Sequence, residues 1–142
     1  MDVSRLGLVT VALLFSTIVL GGYVSQIGAG MACPDWPLCP LTLDHFVVAE
    51  FAHRIVAFAS FLSALTMFIT VAGNRGSTPP RIRKLVSAGF TLLIVQVFLL
   101  GSSVIYTALQ PLLVTAHLGV AVSVFTLYAM AYYSLEMINR EK

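Results

Sequence analysis

Charge is what this sequence lacks. Of 142 residues only 8 are Lys or Arg and 6 are Asp or Glu, a charged share of 10%. A soluble domain carries about 25%. With 58% hydrophobic residues and a mean hydropathy of +0.95, the chain cannot hide its apolar surface from water, which argues against a soluble globular enzyme. No polar stretch is long enough to form a second domain, so any function must sit within the apolar segments or their short loops. Heptads, strong internal repeats and low-complexity tracts are absent. Gly28 and Gly30 precede neither a strand nor a Lys-Ser/Thr pair, so they form no phosphate cradle; a tight turn is their simpler use.

What is present is four long apolar runs, over about residues 6–27, 46–72, 85–106 and 111–135. About 20 apolar residues cross a bilayer as a helix, and in lipid a helix satisfies its own backbone. The expected fold is an all-α integral membrane protein, an up-down four-helix transmembrane bundle forming one domain over 1–142. The very short third loop makes spans three and four antiparallel neighbours. Arg5 and the later Gly-Ala-Gly-Met-Ala give the first run the look of a secretory signal. It exceeds the usual apolar core of about 7–15 residues, so it is expected to remain as a span.

Basic residues set the orientation. Arg5 precedes span one; Arg75, Arg81, Arg83 and Lys84 lie between spans two and three; Arg140 and Lys142 follow span four. Loops one and three have no Lys or Arg, so both termini and the turn-rich connector 73–80 are expected in the cytoplasm, with loops one and three extracytoplasmic in a multi-pass cell-membrane protein. The net charge of +2 reflects this bias and implies no nucleic acid. Arg54 is the one basic residue toward the outer side.

The first outer loop contains Cys33 and Cys39, with five residues and two prolines between them. On an oxidising face a disulfide is the natural reading, with two free thiols packed under the loop as the alternative. Zinc is disfavoured, since only His45 is near as a further ligand. Trp36 suits the membrane interface.

Polar residues inside the spans are costly and usually functional. Glu50, His53 and Arg54 share one helix face by their spacing of three and four. A plain Glu50–Arg54 salt bridge would explain that pair, but neither His53 nor an outward cation. His53 lies about 7 residues into span two and His117 about 6 residues after Pro111, so at about 1.5 Å per residue each imidazole is about 10 Å deep. Taken singly, each is more readily read as a hydrogen-bonded structural histidine than as a ligand. Level with each other, they suit the two axial positions of one heme iron. His45 lies at the loop end and is either a surface residue or at the site's edge. Gln96 reads as interhelical glue, with contact to a ligand as the lesser alternative. Gly101, Ser102, Ser103 and Gly119 read as close-packing positions.

These residues resemble a known family. Residues 21–39, from Gly21-Gly22-Tyr23 to Cys33-Pro34-Asp35-Trp36-Pro37-Leu38-Cys39, are similar to the first helix and outer loop of heme A synthases. Glu50-Phe51-Ala52-His53-Arg54 resembles that family's Glu-x-x-His-Arg signature, and Thr115-Ala116-His117-Leu118-Gly119 its fourth-helix ligand motif. The resemblance implies oxidation of a ring methyl of heme O to a formyl group, giving heme A for terminal oxidases, with heme b as electron-handling cofactor. In the usual account two hydroxylations give a hydrated aldehyde, which loses water. It also implies that His53 and His117 are axial ligands, Glu50 the catalytic carboxylate, Arg54 the partner of a heme propionate, and Cys33–Cys39 the outer-loop disulfide. Familiar members have eight spans in two similar halves, and this chain matches one half. One heme per chain is therefore expected, in a homo-oligomer. Heme O synthase and oxidase assembly factors are the further implied partners. Two rival readings remain: a small bis-His b-type cytochrome for membrane electron transfer, and a heme carrier or assembly subunit. A purely structural bundle is the bland alternative.

Overall fold

The computed structural model describes residues 2–35, 37–40 and 42–141. Trp36, expected at the membrane interface, lies outside them. The four long helices are α1 (Val3–Gln26), α2 (His45–Gly73), α3 (Pro80–Tyr106) and α4 (Pro111–Arg140), each long and apolar enough to cross a bilayer. No strand occurs among the described residues. The chain is a multi-pass, all-helical membrane protein. α1 packs on α2 and α4, and α3 on α4 and α2, so the helices form a four-cornered ring with α2 and α4 at opposite corners. Large apolar side chains such as Phe15, Phe58, Leu99 and Leu112 point outward, as a lipid solvent allows.

Capping fixes where the helices begin. The Asp44 carboxylate accepts from the backbone N–H of Phe46 at 2.9 Å and of Val47 at 3.4 Å. The Gln110 side chain accepts from Leu112 at 2.9 Å and Leu113 at 3.3 Å, with Pro111 at the first helical position. α3 likewise opens on a proline, Pro80, so Arg81, Arg83 and Lys84 belong to the helix and not to the connector. Hydropathy alone starts this span at Leu85 because it registers apolar side chains, whereas Pro80 begins the helical backbone. Three cations at a helix N-terminus oppose its dipole, so helix stability does not account for them.

The two ends of the ring are packed differently. At the end holding the termini and the 74–79 connector, a continuous apolar cluster includes Leu6, Met67, Val71, Ile82, Val86 and Tyr128. The Tyr128 ring lies so close to α3 that a Cβ on Gly89 would come within 2.9 Å of its Cε2, and its hydroxyl reaches the Ala64 carbonyl at 3.4 Å. Along the α1–α2 seam, Thr10 pairs with Ser63 and Thr17 with Ser60, each at 2.8 Å, the small polar contacts that hold helices together where hydrophobicity cannot. The other end is hollow. There the helices enclose a cavity of about 710 Å³. Where α3 borders this space its backbone loosens into a π-helical stretch, Val95–Gly101, a local widening that often marks functional sites.

Candidate functional site

All four helices line the cavity. α2 contributes Glu50, His53, Arg54 and Ser60; α4 contributes His117; α3 contributes Gln96 and Gly101; α1 contributes Thr17 and Gly21. α2 and α4 both start at the hollow end, which is why His53 and His117 come to the same space from opposite corners. Each ring lies against a glycine. A Cβ on Gly21 would sit 3.0 Å from His53 Cε1, and one on Gly101 would sit 3.8 Å from His117 Cε1. Gly21 thus lets the His53 ring approach the α1 backbone closely. The Nδ1 atoms of both histidines are buried without a hydrogen-bond partner among the described residues. Buried polar atoms are normally paired, so a ligand or a water must complete these two.

Arg54 is the hub of the cavity mouth. Its Nε donates to Glu50 Oε1 at 2.9 Å. One terminal nitrogen donates to the carbonyls of Asp35 at 2.5 Å and Leu38 at 2.7 Å, and the other to the carbonyl of Cys33 at 2.6 Å. Four of the five guanidinium N–H donors are therefore engaged, three of them by the loop between α1 and α2. The family resemblance pairs Arg54 with a propionate and gives no sign of these loop contacts, which leave only one guanidinium N–H free of them. Glu50 is 6% exposed, and its Oε2 makes no hydrogen bond to the described residues.

The loop that Arg54 holds is closed by a disulfide between Cys33 and Cys39, with Cα atoms 4.7 Å apart. Gly28 turns the chain out of α1 with φ +75°, the left-handed conformation that glycine adopts without cost. Gly30 serves differently: the Leu109 side chain lies 3.1 Å from where its Cβ would be. Leu109 comes from the tight 107–110 loop, where Ala108 and Leu109 take φ of +50° and +60°. The α1–α2 and α3–α4 loops thus meet over the cavity. His45 stands apart, bonded to the Tyr23 hydroxyl at 3.1 Å and outside the lining.

Two expectations from composition fail. Gln96 was expected to bridge helices, yet its Oε1 has no partner among the described residues. Gly119 was expected at a close contact, yet a Cβ there would meet nothing within 4 Å. Ser102 and Ser103 turn their hydroxyls back on the carbonyls of Phe98 and Leu99, as serines in apolar helices commonly do.

Residues 40–142 match the family model COX15-CtaA, described as cytochrome oxidase assembly protein. The chain belongs to this family. The match contains Glu50, His53, Arg54, Gln96 and His117, and it stops short of α1 and the disulfide. Similar proteins include a heme A synthase of Shouchella clausii, 28% identical over 142 residues covering 96% of this chain and 44% of that protein. A heme A synthase of Bacillus licheniformis is 26% identical over 84% of this chain and 41% of its own length. A protoheme IX farnesyltransferase of Haloarcula marismortui is 26% identical over 80% of this chain and 24% of its own length. The chain spans less than half the length of these relatives. No solved structure matches it.

The donor set and the space are of a kind that can hold a heme. Imidazole suits iron, and the cavity volume falls within the range of about 300–1,000 Å³ typical of cofactor sites. The fit rests on the two unpartnered Nδ1 atoms and on the glycines behind the rings.

Proposed function

We propose that this chain holds a heme between His53 and His117 and works as a heme A synthase, oxidising a ring methyl of heme O to a formyl group and so supplying heme A for terminal oxidase assembly. The observation that carries the reading is the shared cavity: two imidazoles from opposite corners of the ring, each with an unpartnered buried Nδ1, and the Glu50 carboxylate one turn from one of them. Membership in a family of oxidase assembly proteins and similarity to two proteins named heme A synthase support the reaction.

In this reading the heme, when bound, supplies the redox chemistry. The chain's residues bind, orient and shield. His53 and His117 would hold the heme iron, and Gly21 fixes how near the His53 ring lies to α1. Arg54 holds Glu50 through Oε1, leaving Oε2 to take up or return a proton at the reacting substituent. The disulfide loop and Leu109 cover the mouth, which keeps water from a reactive centre. The remaining N–H of Arg54 is the donor for a propionate. Heme O is the substrate and heme b the electron-handling cofactor.

The distribution of basic residues supports a cytoplasmic location for both termini and the 74–79 connector, with the disulfide loop outside. Pairing of identical chains, each with its own site between His53 and His117, belongs to the same proposal. An enzyme that makes heme O is proposed as a neighbour, since it would supply the substrate.

A bis-His electron carrier would share the ligands but leave Glu50 no work beyond its bond to Arg54. The deciding experiment is extraction of the pigment from membranes of cells making this protein with heme O supplied, followed by mass spectrometry. Heme A or its alcohol precursor is the expected product. Recovery of unaltered heme alone would sink the synthase reading.

A further inference from the structure

Gln96 is a buried polar group of the cavity that the proposed reaction leaves unused. It is 7% exposed, its Oε1 has no partner among the described residues, and its side chain lines the cavity. Leu93, one turn earlier, belongs both to the packed core and to the cavity wall, so Gln96 stands about one turn above the floor. It lies in the π-helical stretch Val95–Gly101. A Cβ on Gly101 would come 3.3 Å from the Gln96 backbone oxygen and 3.8 Å from the His117 ring. The segment carrying Gln96 therefore runs beside one proposed axial ligand.

The rest of the α3 wall is Leu93, Val97, Val104 and Ile105 around Gly101. An unbonded amide oxygen in such surroundings is costly, so its partner comes from what fills the cavity. A carboxamide both accepts and donates. Its best complement is a group that does the same, which is a hydroxyl. A carboxylate is a poorer match, and the site's one cation, Arg54, stands at the mouth.

We infer that Gln96 recognises a hydroxyl group on the periphery of the bound tetrapyrrole and so selects a hydroxyl-bearing heme over one without it. The inference rests on the heme reading above and adds to it a determinant of substrate choice. Two sources share this chemistry: the hydroxyl on the alkyl tail of heme O, and a hydroxyl introduced at the ring methyl during oxidation. A site that bonds a hydroxyl rejects the analogue lacking it, because its own polar group is then left unpaired.

The test is absorbance titration of the full-length protein in detergent with three probes: protoheme, heme O, and the hydroxymethyl heme made by borohydride reduction of heme A. Wild type is compared with Gln96→Met and Gln96→Glu. Comparing affinity ratios between variants cancels the hydrophobic contribution of the tail. Loss of one hydroxyl contact is expected to lower the ratio by about tenfold in Gln96→Met, while Gln96→Glu, which keeps a hydrogen-bonding group, retains most of it. A change in the heme O to protoheme ratio identifies the tail hydroxyl. A change in the hydroxymethyl heme to heme O ratio identifies the ring hydroxyl. Unaltered protoheme affinity and low-spin absorption in Gln96→Met would show an intact iron site. If that variant does not fold, Gln96→Asn, which withdraws the amide by one methylene, must show the same loss. Heme binding with both ratios unchanged overturns the role of Gln96 alone. Failure of wild type to give any low-spin heme band overturns both this inference and the heme reading.

Discussion

The guanidinium of Arg54 donates to the carbonyl of Cys33 across 2.6 Å, joining the second helix to a residue 21 positions earlier in the chain. With its bonds to Asp35, Leu38 and Glu50, it makes the disulfide loop and the cavity carboxylate one mechanical unit. Lysine cannot reproduce this, since an ammonium has no planar fork. Arg54→Lys should free the loop while leaving α2 intact. Hydrogen bonds to charged groups contribute about 1.5–3 kcal/mol each, so losing even one should speed protease cleavage within 33–39 by more than about tenfold. Unchanged cleavage would show that the loop holds itself.

His53→Ala and His117→Ala should each remove the low-spin heme spectrum of the purified protein. Altering a group behind a metal ligand costs about 10–100-fold in affinity, and losing the ligand itself should cost more. Two variants with wild-type spectra would rule out the axial pair.

Glu50→Gln preserves size and the contact with Arg54 but cannot exchange a proton at neutral pH. Heme content should hold while turnover of heme O falls by about 10²–10⁴, the usual worth of a positioned acid–base group. Full product formation, measured by mass spectrometry of extracted pigment, would leave the carboxylate with a structural role only.

Gly21→Ala separates helix stability from ligand binding. Alanine favours the helix by about 1 kcal/mol, yet its Cβ would press on His53 at 3.0 Å. Thermal stability of the heme-free protein should hold or rise, while heme affinity falls by about tenfold or more, in line with overpacking costs of about 1–3 kcal/mol. Gly119→Ala is the control, because a Cβ there meets nothing within 4 Å. Equal heme affinity in the two variants would deny the Gly21 contact any importance.

Cys33, fully buried, and Cys39 should resist alkylation in protein isolated without reductant and label after reduction. Labelling at once would show that the bond is not present in the membrane.

The sequence discloses the four spans because hydropathy records what lipid demands of a side chain. It also discloses the polar cluster of α2, since spacings of three and four residues define a helix face. The meeting of His53 and His117 in one cavity follows from counting depth along two helices that begin at the same end. What stayed hidden depends on contacts between distant segments. Nothing in a lone Arg54 tells that three loop carbonyls will surround it, and nothing in Gly21 tells that an imidazole will lie against it. The π-helical stretch at Val95–Gly101 has no hydropathy signature, because widening a helix by one residue per turn alters hydrogen bonding and not apolar content. Helix ends were misjudged at Pro80 and Arg140 for the related reason that capping and apolarity need not stop at the same residue.

The cluster around Met67, Val86 and Tyr128 lies at the opposite end from the histidines. Most of that cluster lies clear of the cavity lining, and only Leu14, Leu93 and Val124 of its buried members border both. The bundle thus keeps one end packed by its own side chains while the other stays hollow.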